Sequence, residues 1–164
     1  MDYIFDTSGV IVLLEICCLE KQLSAFSVRN RLYIPERVRD EFLTQCKINP
    51  SITTKIFSVV NPKLNEKLLP YFNFDSNSGE FWAISYACHD ENCCCVIDEE
   101  FGRNICAFFR VKSTGSVGII NEMKKQGFLA KQDLLEIRDR IRNSRFYLSK
   151  ELLAKLDEIC LHGK

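Results

Sequence analysis

The chain has 164 residues, 46% hydrophobic and 27% charged, with Lys+Arg and Asp+Glu balanced at 22 each. That length suits a single domain over 1–164 with a real core, and zero net charge argues against a protein that coats nucleic acid, though not against an enzyme gripping a short substrate. No apolar run reaches the ~20 residues of a membrane helix, and the first residues carry an acid where a secretory leader has bases, so the expectation is a cytoplasmic protein with no membrane partner.

Residues 2–6 read as a short buried strand ending on Asp6, with Thr7-Ser8 placed to cap the next segment. Residues 9–26 are apolar almost all round and predict one helix, buried on several sides or paired with another subunit. Leu32-Tyr33-Ile34 is a second strand. Pro35 suits the first position of a helix that runs to about Cys46, with Val38, Phe42 and Cys46 inward and Glu41 at the edge of that stripe. Ile56 to Val60 reads as a strand stopped by Asn61-Pro62, and 63–70 as a short helix. A helix over roughly 78–90 has Phe81, Ile84, Ala87 and Cys88 on one face. Cys93 to Ile97, without polar alternation, fits a strand covered on both sides and ending on Asp98. Next come a helix over Glu99–Phe109, a strand at Val111-Lys112-Ser113 and a helix from Val117 to Gln126 stopped by Gly127, with two last helices near 131–143 and 149–161, the second capped by Ser149 and stopped at His162-Gly163. Strands alternating with helices predict an α/β fold built on a parallel sheet.

The nine cysteines include the runs Cys17-Cys18 and Cys93-Cys94-Cys95. Neighbours on a strand point to opposite faces and are poorly placed to pair. No CxxC is present, and Cys88, His89 and Cys93 are spaced more loosely than zinc ligands usually are. The cysteines therefore read as reduced, buried small hydrophobes. Arg138, Arg142 and Arg145 share a helical face, read first as a solvated surface paired with Glu136 and Asp139, with an RNA-backbone track as the alternative. Trp82, the only tryptophan, sits two residues from Glu80 and reads first as a packing residue at the core or rim, with a base-stacking role as the alternative.

Four acids carry the chemistry: Asp6 and Asp98 at strand ends, Glu41 and Glu80 on helices between them. In open parallel sheets the crevice beyond the strand C-termini binds ligands. Carboxylates gathered there repel one another unless a cation joins them. An all-oxygen set without histidine fits Mg²⁺ or Mn²⁺ better than zinc, and such ions activate water and neutralise a phosphate in transit. Phosphodiester hydrolysis is the reaction this set points to.

The acids also stand in motifs. Ile4-Phe5-Asp6-Thr7-Ser8 opens the chain; Ile34-Pro35-Glu36-Arg37-Val38-Arg39-Asp40-Glu41-Phe42 is the second. Then come Ser78-Gly79-Glu80, with Ala83, Ile84 and Ala87 beyond, Val96-Ile97-Asp98-Glu99-Glu100 with Arg103 and Ala107, and Ser113-Thr114-Gly115-Ser116-Val117-Gly118. In this order, over residues 3–129, the sequence resembles the PIN-domain nucleases, and within them the VapC-like branch. The resemblance implies a three-layer α/β/α sandwich around a parallel sheet of about five strands. It implies a metal-dependent endoribonuclease using Mg²⁺ or Mn²⁺, with RNA as substrate, an antitoxin protein as partner of the toxin branch, and a homodimer. Carried over, Asp6, Glu41, Glu80 and Asp98 are the catalytic, metal-binding acids. Glu99 is a secondary ligand, because the family often has Asp there and the longer side chain places its oxygens elsewhere. Thr7, Ser8, Arg103, Thr114 and Ser116 are the implied substrate contacts. The alternatives are a PIN fold kept as an RNA- or protein-binding module without catalysis, and a housekeeping RNA-processing nuclease.

Overall fold

The computed structural model describes residues 1–46, 50–146 and 149–161. Among these, five strands form one all-parallel sheet: β1 (Asp2–Phe5), β2 (Arg31–Pro35), β3 (Ser58–Val60), β4 (Cys93–Val96) and β5 (Ser113–Thr114). Their order is β3-β2-β1-β4-β5. The chain builds outward from β1 in one direction, crosses back, and builds outward through β4 and β5 in the other. The reversal lies between β1 and β4, paired with Asp2 opposite Cys93 and Phe5 opposite Val96. A crevice opens beyond the strand ends at such a switch point.

The strands are buried on both sides, and their alternation feeds two cores. Tyr3, Phe5, Leu32, Ile34, Cys94 and Val96 face one layer of helices. That layer holds α1 (Thr7–Ile11), α2 (Glu20–Arg29), α3 (Glu36–Gln45), α4 (Pro50–Ile56), α7 (Ser116–Lys125), α8 (Lys131–Asn143) and α9 (Lys150–Leu161). Ile4, Cys93, Cys95 and Ile97 face the other, made by α5 (Gly79–Ala87), α6 (Glu100–Phe108) and a 3-10 segment (Glu66–Phe72). The result is the expected α/β/α sandwich. It also accounts for the cysteine run: Cys93 and Cys95 fill one core and Cys94 the other, as a period of two requires. All nine thiols are free.

Several expected elements are corrected. The apolar stretch 9–26 is not one helix. After α1 the chain widens into a π-helical turn (Val12–Ile16) and breaks at Cys17 to Leu19, where Cys18 has φ 55°. The apolar pattern gave no sign of the break, because Leu13 and Leu14 before it and Leu19 and Leu23 after it are all buried. The orphan carbonyl of Cys17 is met by Arg140 Nη1 at 2.9 Å, which ties α8 to this corner. Pro35 ends β2 with ψ 152° and stands just outside α3, so it is the residue before the helix. Residues 50–56, including Ile56 expected in a strand, are helical, and β3 begins only at Ser58. The β5 strand lies at Ser113–Thr114, later than expected, because those residues pair with Cys95 and Val96. The stop expected at His162-Gly163 falls outside the described residues.

Arg138 pairs with Asp139 at 3.0 Å, Arg140 with Glu136 at 3.6 Å and Arg142 with Asp157 at 2.5 Å. Among the described residues, no helix is long and apolar enough to cross a membrane.

Candidate active site

Asp6 is the first residue beyond β1, and its N–H donates to Val96 O at 3.1 Å, which fastens the β1 exit to β4. With extended backbone it caps α1: the Gly9 N–H and the Ser8 hydroxyl each donate to its carboxylate at 2.7 Å. Asp98 comes after β4 and Ile97, whose N–H donates to Thr114 O at 2.8 Å. Asp98 Oδ1 accepts the Ser116 N–H at 2.8 Å, and Oδ2 accepts the Ser116 hydroxyl. The first amide of α7 is thus donated to this acid. Glu41 reaches in from α3. The Thr7 hydroxyl donates to its Oε2, while Oε1 accepts the Gly79 N–H at 3.1 Å and Arg37 Nε at 3.0 Å. Glu80 stands in the first turn of α5, which Ser78 caps through the Phe81 N–H at 3.1 Å. Its Oε1 is buried with no hydrogen bond of normal geometry.

These placements are costly for charge. Asp6 is 4% exposed, and burial, with added repulsion from Asp98 and Glu80, pushes its carboxyl up to about 7 against the opposing bonds from Gly9 and Ser8. Glu80 is likewise pushed up to about 7, first by burial and then by the charge of Glu99, with the Gly102 amide pulling weakly the other way. Burial also raises Asp98, opposed by Ser116 and Arg103. The fold therefore gathers desolvated carboxylates that resist ionising together.

Close backbone approach makes room for them. A Cβ on Gly79 would lie 2.6 Å from Thr7 Oγ1 and 2.8 Å from Glu41 Oε2, and one on Gly102 would run into Glu80 Oε1. Gly79 appears in the Ser-Gly-Glu motif, but its hydrogen bond to Glu41 depends on two helices meeting and has no sequence signal. Arg37 could have been found from its spacing four residues before Glu41.

Of the other expected contacts, Arg103 Nη1 donates to the Asp98 carbonyl, and to Ile97 O at 3.4 Å. Thr114 is half-buried, with its Oγ1 against Gly118. Glu99 is exposed at the start of α6. A cleft of about 610 Å³ opens from Ser8, Asp98 and Arg103 toward Phe101, Phe146 and Leu152. Cys88, His89 and Cys93 are not brought together as ligands: Cys93 is buried in the sheet, and His89 Nδ1 bonds the Ser85 carbonyl at 2.7 Å.

The family model described as DUF3368, a PIN domain, matches residues 2–159. The chain belongs to the PIN-domain family. PIN domains are generally nucleases, and PIN nucleases generally work with divalent metals and bind RNA. No curated protein and no solved structure matches the chain. The residues at this PIN crevice fit a hard divalent cation in donor chemistry: all are carboxylates, and the buried, unpartnered Glu80 Oε1 lacks the positive partner such a position calls for. Among the described residues, however, no three acidic, histidine or cysteine side chains converge on one ion's position. Each of Asp6, Glu41 and Asp98 is instead held by its own donors from Gly9, Ser8, Thr7, Arg37, Gly79 and Ser116.

Proposed function

We propose that this PIN domain is an endoribonuclease that depends on Mg²⁺ or Mn²⁺, with Asp6, Glu41, Glu80 and Asp98 as the metal-binding acids and Glu99 as a secondary ligand. The observation that carries this reading is that burial desolvates Asp6, Glu80 and Asp98 together at the sheet's switch point, with Asp98 and Glu80 adding repulsion at Asp6. Acids that burial pushes toward the neutral form carry a charge cost that their hydrogen bonds do not require, and a cation relieves it. Bound there, the cation would supply an activated water and charge neutralisation at the scissile phosphate. The chain's own residues do the rest. Ser8 and Gly9 hold Asp6, Ser116 holds Asp98, and Thr7 and Arg37 hold Glu41. These donors fix the direction of each carboxylate as outer-shell partners do. Arg103 and Thr114 stand near Asp98 for contact with substrate, as do the hydroxyls of Thr7, Ser8 and Ser116 if they exchange their present bonds.

The test is cleavage of RNA by the purified chain. Mg²⁺ or Mn²⁺ should support it and a chelator abolish it. Asp98→Asn and Glu80→Gln, each folded by circular dichroism, should lose on the order of a hundredfold or more. Cutting at the parent rate by either variant sinks the assignment.

A role as a toxin held by an antitoxin, a cytoplasmic location and a homodimer belong to the same proposal, by likeness to the VapC branch. A housekeeping RNA-processing nuclease is the same chemistry in another setting, separated by whether expression arrests growth. A non-catalytic binding module has one observation in its favour, the lack of three converging ligands among the described residues. It predicts a melting temperature indifferent to divalent cations.

A further inference from the structure

The outer side of the layer that holds α6 carries aromatic rings the proposed chemistry does not use. Tyr71, Phe74, Phe101 and Phe108 are between 39% and 77% exposed. Two belong to α6, and two to the 3-10 segment and the turn after it. The rings are connected. Tyr71 lies 5.3 Å from Phe108 and 5.6 Å from Phe109, centroid to centroid, and Phe72, beside Tyr71 in the chain, lies 5.4 Å from Phe101. Phe72 also meets the fully buried Phe81 edge-on at 5.3 Å, which roots the array in the core. Single exposed apolar side chains are ordinary, but a connected aromatic face marks a surface that something covers.

Two exposed residues of this layer sit in backbone that L side chains avoid. Phe74 and Arg110 both have φ 58°. Arg110 takes the left-handed position that closes α6: its N–H donates to Ala107 O at 3.1 Å and the Val111 N–H to Cys106 O at 2.8 Å. Glycine is the usual residue there, and a bulky side chain at positive φ is a cost. The exposed area is also large enough to matter. The four rings leave roughly 350–600 Å² of aromatic surface in water, at ~150–250 Å² for a whole side chain. Covering it on two copies would bury roughly 700–1,200 Å², and a polar rim brings that within the ~1,200–2,000 Å² of a specific interface.

We propose that this face binds a second copy of the chain, with the two α6 helices packed antiparallel about a two-fold axis. Phe101 and Phe108 are two turns apart on one side of α6, so turning the helix end for end sets Phe101 against Phe108 of the partner subunit. The exposed Asn104 lies between them, near the axis. Its amide makes no hydrogen bond among the described residues, and because it both donates and accepts, it can pair with its own copy. The charges favour a twin over a different partner. Glu99 and Glu100 stand at the start of α6 and Arg110 just past its end, all three exposed and in no ion pair among the described residues. A face of one sign calls for a partner of the other. Opposite signs at opposite ends of an apolar stripe are complementary to themselves, since the two-fold axis brings Glu100 to Arg110 of the partner subunit. The pairing needs no catalysis, so it stands apart from the ribonuclease reading.

Sedimentation velocity of the full chain over a concentration series tests this. The mass should rise from one chain to two. Phe108→Ser should raise the dimer Kd roughly tenfold or more while the circular dichroism stays that of the parent. Should Phe108→Ser cost stability, Phe74→Asn removes an exposed ring and keeps a residue suited to positive φ, and it should weaken pairing in the same direction. Glu100→Lys and Arg110→Glu should each weaken pairing roughly tenfold, because each sets like charges together twice across the axis. Mixed in equal amounts, these two single variants should pair with each other at close to the parental affinity, since both contacts then join opposite charges. A single-chain mass at every concentration would overturn the pair and leave the face to a different protein. A dimer indifferent to both ring substitutions would place the interface elsewhere. No rescue on mixing would rule out the antiparallel arrangement. Mass and RNA cleavage are measured separately, so the failure of either leaves the other standing.

Discussion

Asp6 shows how one side chain serves two needs that conflict. As the cap of α1 it needs only an acceptor oxygen for the Gly9 N–H, which an asparagine also offers. Its charge serves the cap little and is expensive at 4% exposure. Asp6→Asn should therefore keep the cap and remove the buried charge. In chelator at pH 8 the variant should be more stable than the parent by about 2–4 kcal/mol, the order expected from a carboxyl raised by about three units. Its melting temperature should rise by several degrees while RNA cleavage is lost. An unchanged or lower melting temperature would mean that Asp6 contributes to the fold through its charge. The cysteines behave differently at the same scale. Burial pushes Cys17, Cys46 and Cys93 up to about 12 and Cys94 to about 11, which makes them poor nucleophiles and suits their place in the cores.

Among the elements, the broken first helix has the clearest consequence. Had residues 9–26 continued as one helix, the corner at Cys17 would not exist and Arg140 would have no carbonyl to meet there. The break places Cys18, a residue with a Cβ, in the left-handed region at φ 55°. Cys18→Gly should relieve about 1 kcal/mol of that strain, offset in part by the extra freedom of glycine in the unfolded chain. A small rise in melting temperature is expected, and a fall of several degrees would show that the thiol itself holds the corner. Cys18 is also the one exposed cysteine, with Cys88 half-buried and the others buried. In the native protein a thiol reagent should label Cys18 fast, Cys88 slowly and the rest only on unfolding. Rapid modification of two or more buried thiols would contradict the packing described for the strands.

For the molecule as a whole, the raised acids link stability to pH and to cations. The carboxyls of Asp6 and Glu80 lie near 7 when folded, against ordinary values of 3.8 and 4.5. A carboxyl raised on folding adds stability that is complete below its unfolded value and is lost as pH rises through its folded value. In chelator, then, the melting temperature should decline between about pH 4 and pH 8 from these two groups. Mg²⁺ or Mn²⁺ should reverse that decline at pH 8 and have little effect at pH 5, where protons compete for the same oxygens. Melting curves at the two pH values, with and without cation, measure this directly. A cation response as large at pH 5 as at pH 8 would place the binding site elsewhere.

The sequence by itself determined the layered α/β plan, most strand positions and the family. Buried strands, capped helices and the motifs around Asp6, Glu41, Glu80 and Asp98 are local features, readable from spacing and side-chain chemistry. The cores on the two sheet faces were also implicit in the cysteine run, because alternation comes from strand geometry alone. What only the tertiary structure decided depends on residues far apart in the chain. The break after the π-helical turn is met by Arg140 of α8 across the fold, and β5 is set by its register against β4. The bonds from Thr7 and Gly79 to Glu41, and from Ser116 to Asp98, exist because separate loops meet at the switch point. Local propensity carries no information about such meetings.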